Sequence, residues 1–387
     1  MNHPDYDYYR ARTWFAELDG LRAISVLMVI SVHLKYPQVW NLSGHLGVRI
    51  FFILSGFLIT TLALREEARR GYLSVGGFMI RRAFRIFPLY YLTLLLYLGV
   101  IFAGGREEQK QAIVGMLPAL AFYYPEVPYF YEWFASPPFD HAWSLGIEEK
   151  FYLIWPLIMF VLLRGVRATR LTVAIAATLF FAVVPLVFPA ALAGCLHPYT
   201  HILLGCVLAF LLHDRRWFDR MRFLATPAVR LALALLMIAI QFRTAGMIQT
   251  DRGGLWVFGY SLVATALLGS LVMSDGTLPR LLSYRPLALI GSLSYGIYLI
   301  HMFAVSAAQK IADRLPGEYL RIAVAYVIAS ALAIAGAWVL SRTIERPMIR
   351  LGRRLGERWM DRVRKRDTVM DFSNGCVPIG APRERTR

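Results

Sequence analysis

Glu17-Leu18-Asp19-Gly20-Leu21-Arg22-Ala23 runs without a break into Ile24-Ser25-Val26-Leu27-Met28-Val29-Ile30-Ser31-Val32 and closes on His33. Eleven helical steps of about 100° return almost to the starting angle, so Arg22 and His33 face the same way, roughly 16 Å apart along the axis. The run between them is compatible with lipid. An Arg and a His on one stripe of such a helix are costly unless they face protein or a wet cavity. The helix is therefore expected to line a polar cleft that the rest of the chain builds.

The composition agrees. Of 387 residues, 57% are hydrophobic and only 17% charged, too apolar a balance for a soluble domain and typical of a polytopic membrane protein. A net charge of +17 on a soluble chain would point to nucleic acid. Here the charges lie between apolar segments, so no nucleic-acid partner is expected. Cys195, Cys206 and Cys376 are too widely spaced for a disulfide framework or a metal site. Residues 1–16 are polar and no small-residue cleavage pattern follows the first apolar run, so no cleavable signal peptide is expected.

The apolar runs predict an all-α fold, a polytopic membrane helix bundle of about ten transmembrane helices: 18–35, 46–64, 85–103, 143–163, 171–189, 198–213, 228–242, 255–273, 286–308 and 320–341. Segments on the N-terminal side of these spans hold 31 of the 42 Lys and Arg residues, whereas the opposite loops hold 8. The positive-inside rule then places both termini in the cytoplasm. Lys35 and Arg252 fall in the opposite, exterior loops. The 111–124 stretch, with Pro118 inside, reads as an interfacial or re-entrant piece. The aromatic run Tyr123–Phe139 reads as an exterior cap of the cleft. The expected domains are a cytoplasmic N-terminal segment (1–17), a transmembrane domain (18–341), and a basic, partly disordered cytoplasmic tail (342–387), helical to about Arg366.

Four constellations could carry chemistry. In the first, His33 is a candidate general base; its plain reading is a helix-end imidazole, with Arg22 pairing to Asp19 one turn back. The second, Trp143-Ser144-Leu145-Gly146-Ile147-Glu148-Glu149-Lys150, carries acids that either suit a solvated helix start or enter the membrane early. Arg49, on the same exterior face, is a partner for such a carboxylate or merely snorkels. The third, Arg81-Arg82-Ala83-Phe84-Arg85-Ile86-Phe87-Pro88-Leu89-Tyr90, is either a positive-inside flank or a site where guanidinium groups bind phosphate. In the fourth, Gly291-Ser292-Leu293-Ser294-Tyr295 suits close helix packing, and His301 is a second intramembrane imidazole that could share the cleft of His33. Gly-rich phosphate loops, His-Glu-x-x-His and Gly-x-Ser-x-Gly are all absent.

Taken in order, these residues resemble the integral-membrane acyltransferase 3 family, which O-acylates bacterial envelope sugars and some small molecules. The resemblance rests on Glu17–Ala23, Arg22 and His33 with ten residues between, Gly47-Val48-Arg49-Ile50-Phe51-Phe52-Ile53-Leu54-Ser55-Gly56 and Arg81–Pro88. It continues through Trp143–Leu145 with Glu148-Glu149, Ser294-Tyr295 with Tyr298 and His301, and Glu345-Arg346-Pro347. Lys150 departs from it, since Gln is commoner there. The resemblance implies acetyl-CoA as cytoplasmic acyl donor and a hydroxyl of an envelope or exported carbohydrate as acceptor. It also implies a multi-pass protein in the lipid of a bacterial inner membrane, and no metal. Some relatives carry a C-terminal esterase-like domain that is not seen here; the chain is expected to complete the transfer itself, and a separate partner protein is left open.

On this reading His33 acts with Glu148, Arg22 and Asp19; Arg81, Arg82, Arg85 and Tyr90 hold the donor; Arg49, Trp143, Ser144, Tyr295 and His301 meet the acceptor. The alternative is a transporter of a glycan or lipid-linked intermediate, though no inverted repeat or paired broken helices support it. The charge asymmetry predicts that a fluorescent protein fused after Arg387 matures in the cytoplasm. Gly105→Cys, with the three native cysteines changed to Ser, is expected to react with a membrane-impermeant maleimide in intact cells.

Overall fold

The computed structural model describes residues 5–34, 43–134, 139–244 and 253–373, with the side chains of 167–168, 253–255 and 363–373 outside that description. Lys35, Arg252, residues 135–138 of the expected cap and the tail from 374, with Cys376, lie outside the described residues. Among those described, every regular element is helical. In order they are α1 (Tyr6–Ala11), α2 (Ala16–Val32), α3 (Gly44–Arg70), α4 (Val75–Gly104), α5 (Glu107–Ala121), α6 (Glu126–Phe130), α7 (Trp143–Pro156), α8 (Arg167–Val187) and α9 (Ala190–Leu196). They continue with α10 (Pro198–His213), α11 (Arg215–Arg220), α12 (Pro227–Thr244), α13 (Gly253–Met273), α14 (Thr277–Leu282), α15 (Arg285–Ser292), α16 (Ser294–Ala312), α17 (Glu318–Leu340) and α18 (Arg346–Ser373).

Helix α2 starts without a side-chain cap, and its first turn carries Glu17 and Asp19 instead, negative charges placed where amide groups lack partners. Each acid is buried and held by a guanidinium: Arg12 to Glu17 at 2.7 Å and Arg22 to Asp19 at 3.0 Å. The rest of α2 is clamped by backbone. A Cβ at Gly47 of α3 would lie 2.6 Å from Ser25 O, and one at Gly291 of α15 would lie 1.7 Å from Asp19 O. The helix that opens the transmembrane domain is thus interior to it.

On its other side α3 crosses α10 at an equally close approach. Gly56 faces Ile202 O and Gly205 faces Ile53 O, where added Cβ atoms would sit at 1.8 and 2.0 Å. Helices in lipid gain little from hydrophobic burial against one another, so close packing at small residues carries their association. The α16–α17 contact uses the same device, with Ala325, Ala329, Ala333 and Ala337 buried along one stripe of α17.

Seven helical segments among the described residues are long and apolar enough to cross a bilayer, and the α15–α16 pair makes eight if taken as one crossing. The protein is a multi-pass membrane protein. Two other expected crossings are short: α2 has 17 residues, and α7 has 14 before a π-helical turn over Leu157–Leu162. The expected span 286–308 is not one rod but α15 and α16, bent by 77° at Leu293. The expected start at 85 is also displaced, since α4 begins ten residues earlier, at Val75. Arg81, Arg82 and Arg85 therefore lie inside a helix rather than in a flanking loop. The basic stretch after Arg342 continues α17 through a π-helical turn into α18. There Gly352 and Gly356 let it rest on Phe84 and Gly77 of α4.

The segment 111–124 falls mostly within α5, a 15-residue helix. Tyr90 and Tyr91 of α4 donate to Leu120 O and Ala121 O at its end, at 2.9 and 2.8 Å, satisfying carbonyls that a helix terminus leaves unpaired. Lys150 has a local explanation. It reaches the buried Glu126 of α6 at 2.7 Å and donates to Tyr123 O, pinning the cap to α7. At the α3–α10 crossing, Gly205→Val is expected to lower the melting temperature of the detergent-solubilised protein by several degrees, reflecting about 1–3 kcal/mol of overpacking. Gly259→Val, where a Cβ meets open space, is expected to cost far less.

Candidate active site

Two chambers meet inside the bundle. The first, about 760 Å³, is lined by Arg22 of α2, Ser55 of α3, Arg82 and Arg85 of α4, Glu148 and Tyr152 of α7, and Tyr295 of α16. Helical phase alone does not separate the arginines, since residues 81 and 82 both lie within about 60° of residue 85. Arg81 is drawn aside by Glu66, with which it pairs at 2.7 Å, and of the three only Arg82 and Arg85 line the chamber. Arg82 is sandwiched by aromatic rings, its Cζ 4.9 Å from the Tyr152 centroid and 5.6 Å from that of Phe78. Arg85 is exposed and forms no ion pair among the described residues. Arg22, Arg82 and Arg85 also border a wider mouth with Asp19, Trp14 and Arg65. The three guanidinium groups thus stand at a neck between an opening and a chamber.

Glu148 belongs to this first chamber. Its Oε1 accepts from Ser55 Oγ at 2.8 Å and its Oε2 from the Tyr152 hydroxyl at 3.2 Å. Its polar partners among the described residues are Ser55 and Tyr152, one chamber away from the imidazole with which it was expected to act. The reason is that α7 enters with Asp140 and His141 at the level of His33, and Glu148 follows two turns deeper.

The second chamber, about 390 Å³, is lined by His33 of α2, His45 of α3, Tyr129 of α6, Asp140 and His141 before α7, Trp143 and Tyr298. His33 Nδ1 lies 2.8 Å from Val29 O. A carbonyl only accepts, so Nδ1 carries a hydrogen, and in the neutral ring Nε2 keeps its lone pair. His301, fully buried behind it, is fixed in the same tautomer by Tyr298 O at 2.6 Å. The His33 and His301 rings meet edge to face at 4.8 Å, as do those of His301 and His141. Asp140 Oδ1 is 3.9 Å from His141 Nδ1. Burial pushes the Asp140 carboxyl up, opposed first by the neighbouring His33, and holds His141 down at about 3. Phe139, in the left-handed region at φ 66°, turns the chain so that both residues face inward; its ring is locked between Tyr90, Tyr97 and His141.

Tyr298 and Val48 border both chambers. The Tyr298 hydroxyl donates to His141 O at 2.7 Å and accepts from Ser144 Oγ at 2.7 Å, which holds it in the wall that the two chambers share. Trp143 faces the second chamber, stacked on Tyr129 at 5.6 Å. Tyr295 donates to Ile86 O at 2.8 Å and faces the first.

The structure therefore gathers Arg22, Arg82, Arg85, Glu148, Ser144 and Tyr295 around one chamber, with Asp19 at its mouth, and His33 and Trp143 around the other with His301 behind. Arg81 and Tyr90 border neither. Tyr90 is fully buried, with its hydroxyl on α5 and its ring 4.3 Å from that of Tyr123, so neither of these two expected donor residues faces the cavities. Arg49 has no carboxylate partner among the described residues; its guanidinium lies 6.0 Å from the Trp143 ring. Sequence reasoning missed Asp140, His141, His45, Ser55, Tyr152 and Tyr298. Asp140 and His141 fell between a cap ending at 139 and a span starting at 143, although they directly precede the Trp143-Ser144-Leu145 motif. Among the described residues no group of three or more His, Cys, Asp or Glu has metal-holding geometry.

Comparison with known proteins adds the following. A family model described as an acyltransferase domain matches residues 15–342. The peptidoglycan O-acetyltransferase OatA of Listeria monocytogenes is 28% identical over 82% of this chain and 54% of its own length. The putative peptidoglycan O-acetyltransferase YrhL of Bacillus subtilis is 30% identical over 73% of this chain and 47% of its own. The O-acetyltransferase OatA of Staphylococcus aureus is 29% identical over 73% and 49%. The chain thus spans about half the length of the curated relatives it matches. No solved structure matches it.

Proposed function

Since the chain belongs to the acyltransferase family whose domain it carries over residues 15–342, we propose that it is an O-acetyltransferase of a bacterial cytoplasmic membrane. It moves acetyl from acetyl-CoA to a hydroxyl of an envelope glycan of the peptidoglycan class. The observation that carries this reading is the contiguity of the chambers: the neck of Arg22, Arg82 and Arg85 leads to a cavity that shares Tyr298 and Val48 with the chamber of His33. The relatives support the acetyl group and the glycan class by what their names say of them.

In this mechanism the donor's phosphates rest on Arg82 and Arg85, which suit phosphate by charge and by planar hydrogen-bond geometry. Arg22 is held by Asp19 at the same neck. Glu148 and Asp19 offset the clustered positive charge while no donor is bound. The pantetheine arm runs along Ser55 and Tyr152 toward Tyr298, bringing the thioester to His33. There the acceptor hydroxyl gives its proton to His33 Nε2 as its oxygen bonds to the thioester carbonyl carbon. The tetrahedral oxyanion collapses, the carbon–sulfur bond breaks, and the thiolate takes the proton back from His33. Asp140 stabilises the imidazolium between these steps, the role that Glu148 is too deep to fill. With the arginine neck on the cytoplasmic face, both termini lie on that side.

Passage of an intact glycan is the less favoured reading, because the matched family model describes an acyltransferase domain and the relatives are named for O-acetyl transfer. His33→Ala is expected to lower kcat by about 10²–10⁴-fold, and Asp140→Asn by about tenfold, both read with radiolabelled acetyl-CoA at matched protein level. Arg85→Gln is expected to raise KM for acetyl-CoA by about tenfold, as loss of one charge-assisted phosphate contact implies, with a smaller change in kcat.

A further inference from the structure

Among the described residues, the arginine nitrogens that are fully buried are hydrogen-bonded, with one exception. Arg170 makes a bidentate contact with Glu67 at 2.7 and 2.8 Å, and Arg230 donates to Ser270, Ser274 and Ala225 O. Arg12 and Arg22 each hold a carboxylate. Arg49 holds nothing: its Nε and Nη1 are buried without a hydrogen-bond partner, although the residue as a whole is only half-buried. The titratable groups that interact with it are His45, Tyr129, His197 and His201, none of them a carboxylate. His197 and His201 add two buried ring nitrogens without partners. Buried guanidinium nitrogens left without partners in a membrane domain are costly. The missing component is an anion.

Its position says what the anion is attached to. Arg49 lies one helical turn below His45, which lines the chamber of His33, and its Cζ is 6.0 Å from Trp143 in the wall of that chamber. Trp143 stacked on Tyr129 offers the flat aromatic surface on which a sugar ring packs. We propose that Arg49 is an anion subsite of the acceptor chamber, so that the accepted glycan carries an acidic group close to the hydroxyl that is acylated. Two sources have this chemistry: a carboxylate on the sugar itself, and the pyrophosphate of a lipid-linked precursor. The proposal rests on the acyl-transfer reading and extends it to the acceptor.

The test uses the full chain in detergent with radiolabelled acetyl-CoA and three acceptors. These are a neutral β-1,4-linked N-acetylglucosamine oligomer, an oligomer of equal length containing the carboxylate of N-acetylmuramic acid, and the neutral oligomer on polyprenyl pyrophosphate. Wild-type protein is expected to favour an anionic acceptor over the neutral one at least tenfold in kcat/KM, and Arg49→Met to bring that ratio within about threefold of unity, the loss of one charged hydrogen-bonded contact. Preference for the carboxylate oligomer or for the pyrophosphate carrier identifies the source. Arg49→Met is expected to melt no lower than wild type, because an apolar side chain replaces an unpaired charge. If Met is not tolerated, Arg49→Lys decides, keeping the charge but not the fork, with a ratio reduced severalfold. A ratio that survives both substitutions, or rates on all acceptors falling in step, overturns the anion subsite. Wild-type protein that labels no acceptor at all overturns the acyl-transfer reading instead.

Discussion

The fold depends on the enclosure of α2. Its apolar residues would tolerate lipid, but Glu17, Asp19, Arg22 and His33 would not. Those groups persist only because α3, α14 and α15 close on the helix at backbone distance. Gly20, Gly47 and Gly291 are the positions where the approach is so tight that even a methyl group would strike a carbonyl. Burial of α2 thus demands both small residues on its neighbours and internal partners for its charges. Arg12 and Arg22 answer for the two acids, and Val29 O and the second chamber for His33.

Enclosure also separates the chemistry into two environments. One end of the cleft is rich in guanidinium and carboxylate groups at a wide mouth. The other is built from imidazoles held in one tautomer by backbone carbonyls, with Asp140 as its carboxylate. Tyr298 stands between them with its hydroxyl committed to His141 O and Ser144. A division of this kind keeps the clustered guanidinium charge apart from the imidazoles, within one membrane domain.

The supporting elements serve the same geometry. Tyr90 and Tyr91 fasten α5, Lys150 and Glu126 fasten the cap, and α18 braces the end of α4 that bears the arginines. The break at Leu293 brings the ends of α15 and α16 to the cavity, so that Ser292 borders the mouth and Tyr295 the first chamber. Polar backbone freed at such a break is tolerated at membrane depth where it faces protein or water rather than lipid.

Sequence by itself determined what repeats along a helix or is set by composition. That includes an all-helical membrane domain, the shared stripe of Arg22 and His33, the arginine cluster, and an ordered series of motifs specific enough to indicate the acyltransferase family. Tertiary structure alone decided which groups meet across helices: Asp140 rather than Glu148 beside His33, Arg82 and Arg85 but not Arg81 at the neck, and, among the described residues, no carboxylate for Arg49. The physical reason is that helical phase is a local property, fixed by 3.6 residues per turn. The depth at which α7 enters, the early start of α4 and the bend at Leu293 are set by packing between segments distant in the chain.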